Sequence, residues 1–408
     1  MIIYSKKMDH LLEKLTVIDC ASYIAGPAAA TIMSDFGARV IKIESPDIGD
    51  TYRSLLRLPG LPESNENYPW ILTSRNKESL ALNLKFEEAQ IILHKLIKKA
   101  DVFITNYPFP IRKKLNINSE DILKTNKKLI YASLTPYGEK GPEKDRTGYD
   151  ATAWWARSGL MHAVRNDSSS EPSSSTPGMG DHPTASALFG AIMMALYKRE
   201  ITGKGSEVSS SLIANGLWSN GIYIQAALCG ANFVENSGRG TKGALAEKYK
   251  CKDGRWFILV MLNEEREWPL LLKCLERGDL NDNKKFNTRE SRAKNSLELM
   301  NILDEEFISK DWGELRELFE KSGVTFGPIS EPYDHISDQQ IKDNKFFTEF
   351  SDKKDLLTVD SPIFMKEEKK KQPDTAPEIG EHTKKILEEL NYSQDEIKDL
   401  KKKKIIKL

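Results

Sequence analysis

The chain has 408 residues, of which 39% are hydrophobic and 29% are charged. This composition is typical of a globular protein with more than one domain, and it argues against a disordered or fibrous chain. Lys and Arg number 60, and so do Asp and Glu, which makes the formal net charge zero. No overall electric field therefore draws the protein to nucleic acid or to an anionic membrane, so a bound anion must be met by a local group of cations.

The four cysteines, Cys20, Cys229, Cys251 and Cys274, lie far apart and form no CxxC pair, so neither a zinc ribbon nor a dithiol redox site is predicted. Reduced thiols and a charged N-terminal stretch favour a cytoplasmic protein. The longest apolar run, residues 185–197, is too short to span a bilayer and predicts a buried helix. We expect no metal, no membrane contact and no nucleic-acid partner.

Apolar runs and helical stretches alternate along the first 150 residues. Strand-like runs occur at residues 15–20, 39–44, 79–84, 101–106 and 128–134. Strand, helix and strand at this spacing predict βαβ units, and hence a parallel sheet with helices on its faces. The turn after the first strand, IAGPAAA, lacks the GxGxxG fingerprint. A nicotinamide-dependent enzyme is therefore disfavoured, and a failure to bind NAD would exclude it.

The pattern changes after residue 225. Residues 226–330 combine a glycine-rich segment, a hairpin-like pair around the turn Asp253-Gly254 and charged amphipathic helices. We expect residues 1–225 to form a large α/β domain and residues 226–330 a small domain. Residues 331–408 are expected to return to the large domain, with their Lys-rich runs on solvated faces.

Asp181 is the most informative single residue. It follows Gly178 and Gly180 at the end of a polar loop and directly precedes an apolar helix. A carboxylate at such a place can cap the helix N-terminus. It can also stand on the loop among backbone N–H groups that steady a developing oxyanion. The two interpretations do not exclude each other.

Segments along nearly the whole chain, in order and with matching spacing, resemble the family III CoA-transferases, a group that includes α-methylacyl-CoA racemases. The segments include IAGPAAATIMSDFGARVIKIESPDIGD, SRNKESLALNLK, ADVFITNYPFPIRKK, LIYASLTPYGEKGPEKDRTGYDA, GMGDHPTASALFGAIMMALYKREITGKGSEV and IGEHTKKILEEL. The resemblance implies an α/β fold with a Rossmann-like parallel-sheet large domain, a smaller α+β domain and an interlocked homodimer. It also implies a CoA thioester as substrate and no tightly bound cofactor.

The resemblance further implies a covalent mechanism. Asp181 matches the family's nucleophile, upstream of the TGKG turn at residues 202–205. Attack on an acyl-CoA carbonyl would give a mixed anhydride and then an aspartyl-CoA thioester, which transfers CoA to an incoming carboxylate. Asp150 matches an acidic position that assists in the formyl-CoA branch. His182, next to the nucleophile at a helix start, is expected to point away from it and to serve the structure.

Several positions match residues beside CoA, although each also has an ordinary structural explanation. Asn106 and Tyr107 fall where the family has an Asn-Phe pair. Lys114 stands where an Arg usually meets a phosphate, and because Lys lacks the bidentate fork, Arg112 is a nearby substitute. The other CoA contacts that the resemblance implies are Ile24, Ala25, Leu82, Lys85 and Arg146.

Two positions depart from the family patterns. Ile24 replaces a Gln of the formyl-CoA branch, which implies an apolar acyl pocket and argues against oxalate as acceptor. Tyr149 replaces a His of the racemase branch, and a phenol with a reference pKa of about 10 is a poor acid or base for racemisation. Gly238, Gly240 and Gly243 resemble a mobile loop that covers the active site in some members, with a plain interdomain turn as the alternative.

We therefore predict an acyl-CoA:carboxylate CoA-transferase whose substrates are an acyl-CoA and an organic acid, with an aryl or branched 2-hydroxy acid as the expected acceptor. Two alternatives stay open. A racemase or CoA-ester isomerase would exchange the α-proton of an acyl-CoA with solvent, whereas a transferase would not. A non-catalytic CoA-ester-binding protein belongs to another class, and the presence of Asp181 argues against it.

Overall fold

A six-stranded parallel sheet forms the centre of the computed structural model, which describes residues 9–408. Residues 1–8, part of the stretch on which the N-terminal interpretation rests, lie outside the described residues. The strands are β1 (Thr16–Asp19), β2 (Arg39–Glu44), β3 (Lys77–Ala81), β4 (Val102–Thr105), β5 (Ile130–Thr135) and β6 (Ser206–Ser211). Their order is β3-β2-β1-β4-β5-β6, and every neighbouring pair is parallel. The predicted parallel α/β sheet is thereby confirmed.

Helices cover both faces of this sheet. They are α1 (Ala25–Asp35), α2 (Tyr68–Ser74), α3 (Glu87–Ile97), α4 (Phe109–Lys114), α5 (Ser119–Thr125), α6 (Leu160–Ala163), α7 (Asp181–Thr202), α8 (Leu212–Ser219) and α9 (Gly221–Leu228). Neighbouring strand residues point to opposite faces. Val17 accordingly packs in the apolar layer that contains α1 and α7, whereas Ile18 packs in the layer that contains α3. A 3₁₀ segment, Thr51–Arg57, and a π-helical segment, Asp150–Ala156, complete this part of the chain.

The prediction of a buried helix over residues 185–197 was wrong in one respect. The helix, Asp181–Thr202, is longer, and only one side of it is buried. Met194, Tyr197 and Ile201 are 75%, 71% and 68% exposed. A continuous apolar run cannot by itself distinguish a buried helix from one whose second side is left for another surface.

The chain divides into two compact units. The larger comprises residues up to 163, residues 173–230 and residues 345–408, and the smaller comprises residues 164–172 and 231–344. The main part of the smaller unit begins at residue 231, where the sequence analysis proposed 226, and it ends at residue 344, where the sequence analysis proposed 330. Residues 331–344, expected in the large domain, thus lie in the smaller unit. Residues 164–172 lie within the range 1–225 that the sequence analysis assigned to the large domain, but they belong to the smaller unit.

An antiparallel sheet and a group of helices build the smaller unit. Its strands, in the order β7-β8-β9, are β7 (Lys248–Lys250), β8 (Trp256–Leu259) and β9 (Phe326–Pro328). Its helices are α10 (Glu264–Leu275), α11 (Asp279–Asp282), α12 (Arg289–Lys294), α13 (Ser296–Ile308), α14 (Trp312–Ser322), α15 (Asp334–Ser337) and α16 (Gln339–Asp343), with a 3₁₀ turn at Ala244–Ala246. Phe257, Phe307 and Phe319 are fully buried at its centre.

The C-terminal segment completes the larger unit. It contains the antiparallel pair β10 (Phe347–Glu349) and β11 (Leu357–Val359) and the helices α17 (Thr383–Glu389) and α18 (Gln394–Lys402). The Lys run at residues 401–404 is exposed, and the next residues, Ile405 and Ile406, are buried. Among residues 9–408, no helix is long and apolar enough to cross a bilayer.

A buried ion pair fixes the end of α1 against the segment that leads into β3. Both nitrogens of the Arg75 fork donate to Asp35, at 2.9 and 2.8 Å, and both residues are 2% exposed. The substitution Asp35→Asn leaves the guanidinium charge buried without its counter-ion. We expect it to lower the free energy of unfolding by about 3–5 kcal/mol.

Urea unfolding followed by circular dichroism measures this effect. Glu317→Gln is the matched control, because it breaks the exposed pair between Glu317 and Lys321 and should leave the midpoint unchanged. Equal midpoints for both variants would contradict the role assigned to the buried pair.

Candidate active site

A cavity of about 850 Å³ opens where the parallel strands end. Its lining includes residues that follow β1 (Ser22 to Ala25), β2 (Ser45) and β4 (Asn106 to Pro108). The loops after β1 and β4 leave the sheet in opposite directions, because the strand order reverses between these two strands. Open α/β sheets bind their ligands at such a switch point.

Asp181 lines this cavity as the first residue of α7. The residue before it, Gly180, occupies the N-cap position, and no side chain caps the first turn. The capping interpretation is therefore wrong for Asp181. Burial, together with the neighbouring charge of Asp150, raises the pKa of Asp181 to about 8. The carboxylate form is thus poorly solvated, which is the state in which a carboxylate is most reactive as a nucleophile.

Asp150 connects the π-helical segment to the turn that carries Asp181. It is 7% exposed and begins that segment. Its Oδ1 accepts from the Ala151 N–H at 2.7 Å, and its Oδ2 accepts from the Gly180 N–H at 3.3 Å. The second bond holds the residue directly before Asp181, so Asp150 both fixes the position of Asp181 and disfavours its ionisation.

The turn from Gly178 to Asp181 is fixed by two further contacts. The Nδ1 of His182 donates to the Gly178 carbonyl oxygen at 2.9 Å, and burial lowers the pKa of this histidine. Gly180 lies against the Trp154 ring so closely that a Cβ at this position would overlap it. These contacts support the structural role expected for His182.

Four buried charges lie beneath the loop that follows β1. Lys42 and Lys77 lie on adjacent strands, and Asp19 pairs in register with Lys42. The Lys77 ammonium lies 2.8 Å from Asp19, and the Lys42 ammonium lies 2.7 Å from Asp50 and 3.6 Å from Asp19. All four residues are at most 4% exposed. We call them the buried ion network.

The pKa values within the network follow from burial and pairing. Burial lowers the pKa of Lys77 to about 8 although Asp19 lies beside it. At Asp19 burial acts against the charge, but Lys42 and Lys77 together outweigh it and hold the pKa below its usual range. Sequence analysis missed the buried ion network. The sequence indicated it only by placing one lysine in each of two strands whose other residues are largely buried.

The buried ion network also holds the β1–α1 loop by its backbone. Lys42 donates to the Ala21 carbonyl, Lys77 donates to the Pro27 carbonyl at 2.7 Å, and Asp50 accepts from the Tyr23 N–H at 3.2 Å. Tyr23 lies between these anchors with φ at 64°, in the left-handed region. Such a conformation costs a non-glycine residue on the order of 1–3 kcal/mol, so the surrounding contacts must stabilise it.

Asn106 clamps the same loop from the β4 side. Its Oδ1 accepts from the Ser22 N–H at 2.8 Å, and its Nδ2 donates to the Ser22 carbonyl at 2.7 Å. The next residue, Tyr107, also lines the cavity, and burial raises its pKa to about 12. The amide of Asn106 therefore positions the loop, while Tyr107 supplies lining surface.

The sequence-predicted residues separate into two groups. Those that line the cavity are Asp181, Asp150, Ile24, Ala25, Asn106, Tyr107, Arg146 and Tyr149. Those that lie outside its lining are Leu82, Lys85, Arg112 and Lys114. Lys85 and Lys114 are exposed. Leu82, 2% exposed, forms a bridge with Ile406, so it is part of the core.

Arg112 occupies a buried position that the sequence analysis did not expect. It is 1% exposed, and its Nε donates to the Tyr107 carbonyl. One of its guanidinium nitrogens also lies 3.8 Å from Glu139. In this conformation Arg112 braces the β4–α4 turn from inside and is not open to a ligand phosphate.

The glycine-rich segment belongs to the smaller unit. Gly238, Gly240 and Gly243 all have φ between 88° and 98°, so each uses the left-handed freedom of glycine. Between them, Arg239 binds both carboxylate oxygens of Asp304 at 2.6 and 2.7 Å. The segment is thus tied to α13, and its movement over an active site stays a prediction.

Two tyrosines that line the cavity were not considered together in the sequence analysis. The rings of Tyr23 and Tyr149 meet edge to face, with centroids 5.6 Å apart. The neighbouring side chain of Tyr23 raises the pKa of Tyr149. Lys144 and Arg146 supply positive charge to the same lining. Among residues 9–408, no group of three His, Cys, Asp or Glu side chains could hold a metal ion.

Comparison with known proteins identifies the family. The sequence profile described as CoA-transferase family III matches residues 12–383. The (R)-2-hydroxy-4-methylpentanoate CoA-transferase of Clostridioides difficile is 32% identical over 400 residues, covering 97% of this chain and 100% of the relative. The cinnamoyl-CoA:phenyllactate CoA-transferase of Clostridium sporogenes is 32% identical, covering 97% of each chain.

A solved structure agrees with these sequence matches. The crystal structure of a CAIB/BAIF family protein from Brucella suis superposes with a TM-score of 0.83 at 26% identity, covering 94% of this chain and 100% of that one. The profile match extends from β1 through the first residue of α17 and so includes every residue of the cavity lining. The chain belongs to CoA-transferase family III and is an enzyme of that family.

Proposed function

We propose that the enzyme transfers CoA between carboxylic acids through covalent intermediates on Asp181. A desolvated aspartate at the switch-point cavity, with a pKa of about 8, is the observation that carries this proposal. A carboxylate is the group the reaction needs, because it forms an anhydride with an acyl group and a thioester with CoA. A serine or cysteine would hold the acyl group but could not carry CoA in this way.

The reaction starts from the ionised form of Asp181, which has first released its proton to solvent because its pKa is about 8. From that carboxylate onward, the steps balance without a further proton transfer. Asp181 attacks the thioester carbonyl of the donor, the carbon–sulfur bond breaks, and CoA thiolate leaves a mixed anhydride. The thiolate attacks the Asp181 carbonyl of that anhydride and releases the donor acid. The acceptor carboxylate then attacks the aspartyl-CoA thioester and expels CoA thiolate, which attacks the acceptor's carbonyl in the new anhydride and restores Asp181. Asp150 acts as a positioning residue through the Gly180 N–H.

We assign CoA to the edge of the sheet where the loops after β1 and β4 separate. Ile24, Ala25 and Tyr107 provide apolar lining there, and Arg146 provides positive charge. Lys85 and Lys114 lie outside the cavity lining but are exposed, as contacts with a ligand phosphate require. The buried Arg112 and Leu82 are left out of this assignment, because neither presents its side chain to solvent.

We propose a 2-hydroxy acid with an aryl or branched side chain as the acceptor. The cavity is bordered by aliphatic and aromatic side chains, among them Ile24, Leu55 and Tyr149. The two relatives named above are called CoA-transferases of 2-hydroxy-4-methylpentanoate and of phenyllactate. Their names support an acceptor of this class.

We further propose that two copies of the chain assemble into a homodimer, as the family resemblance implies. Helices α7 to α9 carry a group of large apolar side chains that are 68–87% exposed: Met194, Tyr197, Ile201, Trp218, Ile222 and Leu228. A group of this size is uncommon on the free surface of a soluble protein. A second copy of the chain would cover it.

The substitution Asp181→Asn tests the nucleophile. Because an amide cannot form the anhydride, we expect the transfer rate to fall by about 10⁴-fold or more. In the unmodified enzyme, acyl-CoA plus hydroxylamine should leave a hydroxamate on Asp181 that peptide mass spectrometry detects. Asp395→Asn, at an exposed position of α18, should leave both results unchanged.

Other outcomes would contradict the proposal. An adduct on another residue, or full activity in Asp181→Asn, would overturn the covalent mechanism. Deuterium appearing at the α-carbon of an acyl-CoA in D₂O, without CoA transfer to any acid, would instead establish a racemase or isomerase.

The raised pKa of Asp181 also predicts a pH-dependent stability. Between pH about 4 and 8 the unfolded chain releases this proton and the folded chain keeps it, so stability falls as the pH rises through this range. Asp181→Asn removes that loss. We expect the variant to match the parent near pH 4 and to exceed it by a few kcal/mol above pH 8. Guanidinium unfolding at both pH values measures the difference, and a constant difference would contradict the assigned pKa.

The substitution Trp218→Asp tests the assembly. A charge on this 87% exposed side chain would be buried at the proposed interface without a partner, so we expect monomers. Light scattering coupled to size-exclusion chromatography measures the mass. Tyr333→Asp, on an 85% exposed side chain of the smaller unit, is the control. A monomeric parent protein would refute the proposal.

A further inference from the structure

The strained backbone of Tyr23 has a consequence for the cavity. Its φ of 64° lies where glycine and asparagine are the usual residues. Contacts hold the backbone at Tyr23 and at the residue before it, through the Tyr23 N–H to Asp50 and through Ser22 to Asn106. A fold that needed only a turn here could use glycine. Keeping a tyrosine in this conformation points to a use for its ring.

The ring of Tyr23 meets Tyr149 on the cavity wall. Their centroids are 5.6 Å apart and their planes are inclined by 77°. Both residues line the cavity, yet Tyr23 remains 36% exposed and Tyr149 remains 51% exposed. Each ring therefore keeps free surface for a third group, and aromatic groups prefer such edge and offset contacts with one another.

This pair lies close to the nucleophile along two independent routes. Tyr149 directly precedes Asp150, whose Oδ2 accepts from the residue before Asp181. Tyr23 directly precedes Ile24, whose Cδ1 would lie 3.4 Å from a Cβ placed on Gly178. Each tyrosine is thus one residue away from a contact with the turn that carries Asp181. A substituent on the carbon next to the reacting carboxylate would reach such a wall.

We propose that Tyr23 and Tyr149 form the specificity wall for an aromatic side chain on the acid that exchanges CoA at Asp181. This inference rests on the proposed transferase function. Ile48, Leu55 and Leu58 add apolar surface to the same cavity. Of the acidic residues in the lining, Glu44 is paired with Arg53, and Asp50 is paired with Lys42. The lining also contains Asp150, Asp181, Lys144 and Arg146, so the apolar surface offered to an aryl group is that of the two tyrosines and the three aliphatic side chains.

Identity exchange tests the wall without requiring a foreign donor. Isotope-labelled phenyllactate is exchanged into phenyllactyl-CoA, and labelled lactate is exchanged into lactyl-CoA. The CoA part is the same in both reactions, so the ratio of their kcat/KM values reports recognition of the side chain alone. We expect the parent enzyme to prefer the phenyl pair.

Two substitutions remove one ring each. In Tyr23→Asn the new residue is one that adopts the left-handed conformation readily. The thermal midpoint of this variant should therefore not fall below that of the parent. Tyr149→Leu keeps apolar bulk at an exposed position. For both variants we expect the phenyllactate-to-lactate ratio to fall about tenfold or more. Tyr23→Phe and Tyr149→Phe keep the rings and should keep the ratio. Tyr333→Asn, at a position outside the cavity lining, is the control.

Several results would overturn the inference. One is a parent enzyme with no preference for the phenyl pair. Another is an equal loss for both acids in Tyr23→Asn or Tyr149→Leu, which would show that the rings serve CoA or the fold. If the parent exchanges neither acid and no hydroxamate forms on Asp181, the proposed function itself has failed, and the inference fails with it. If exchange occurs, a hydroxamate forms on Asp181 and the phenyllactate-to-lactate ratio is unchanged in the variants, only the proposed specificity wall is overturned.

Discussion

Ammonium groups that are shut off from water stay charged only where carboxylates and carbonyl oxygens surround them. Lys42 and Lys77 meet that condition by binding Asp19 and, through Lys42, Asp50. The remaining hydrogen-bonding capacity of the lysines is directed to carbonyls of the β1–α1 loop. The same four side chains therefore balance the buried charge of the sheet and fix the loop that borders the cavity. These contacts hold Tyr23 in the left-handed conformation, which a loop without them would not maintain.

The same edge of the sheet contains two opposite electrostatic environments. In the buried ion network, opposite charges outweigh burial and keep Asp19 ionised. At Asp181, burial and the like charge of Asp150 act in the same direction and resist ionisation. The first arrangement stabilises the fold, whereas the second lowers its stability at neutral pH. Such a difference is expected where a group with a perturbed pKa, as the proposed reaction requires, lies on a rigid frame.

The regular part of the fold was predictable because local patterns determine it. Residues 39–44 were predicted as a strand and form β2, and the apolar runs also located β1, β4 and β5. Strand β6, with the sequence SEVSSS, was missed because it contains only one apolar residue. It lies at the edge of the sheet, where a strand can be polar. The exposed apolar side of α7 was missed for a related reason, since an apolar run does not indicate whether both sides of a helix are buried in the same chain.

At the site, the sequence by itself determined the residue types that the chemistry needs: a carboxylate before a helix, a second acid at Asp150 and the motifs of CoA-transferase family III. Only the tertiary structure decided which of the candidates meet. It brought Asn106 and Tyr149 to the cavity, buried Arg112 beneath the β4–α4 turn and joined Lys42, Lys77, Asp19 and Asp50 from separate segments. The reason is physical: a residue's chemistry is local, but its burial, its pKa and its partners depend on groups that are distant along the chain.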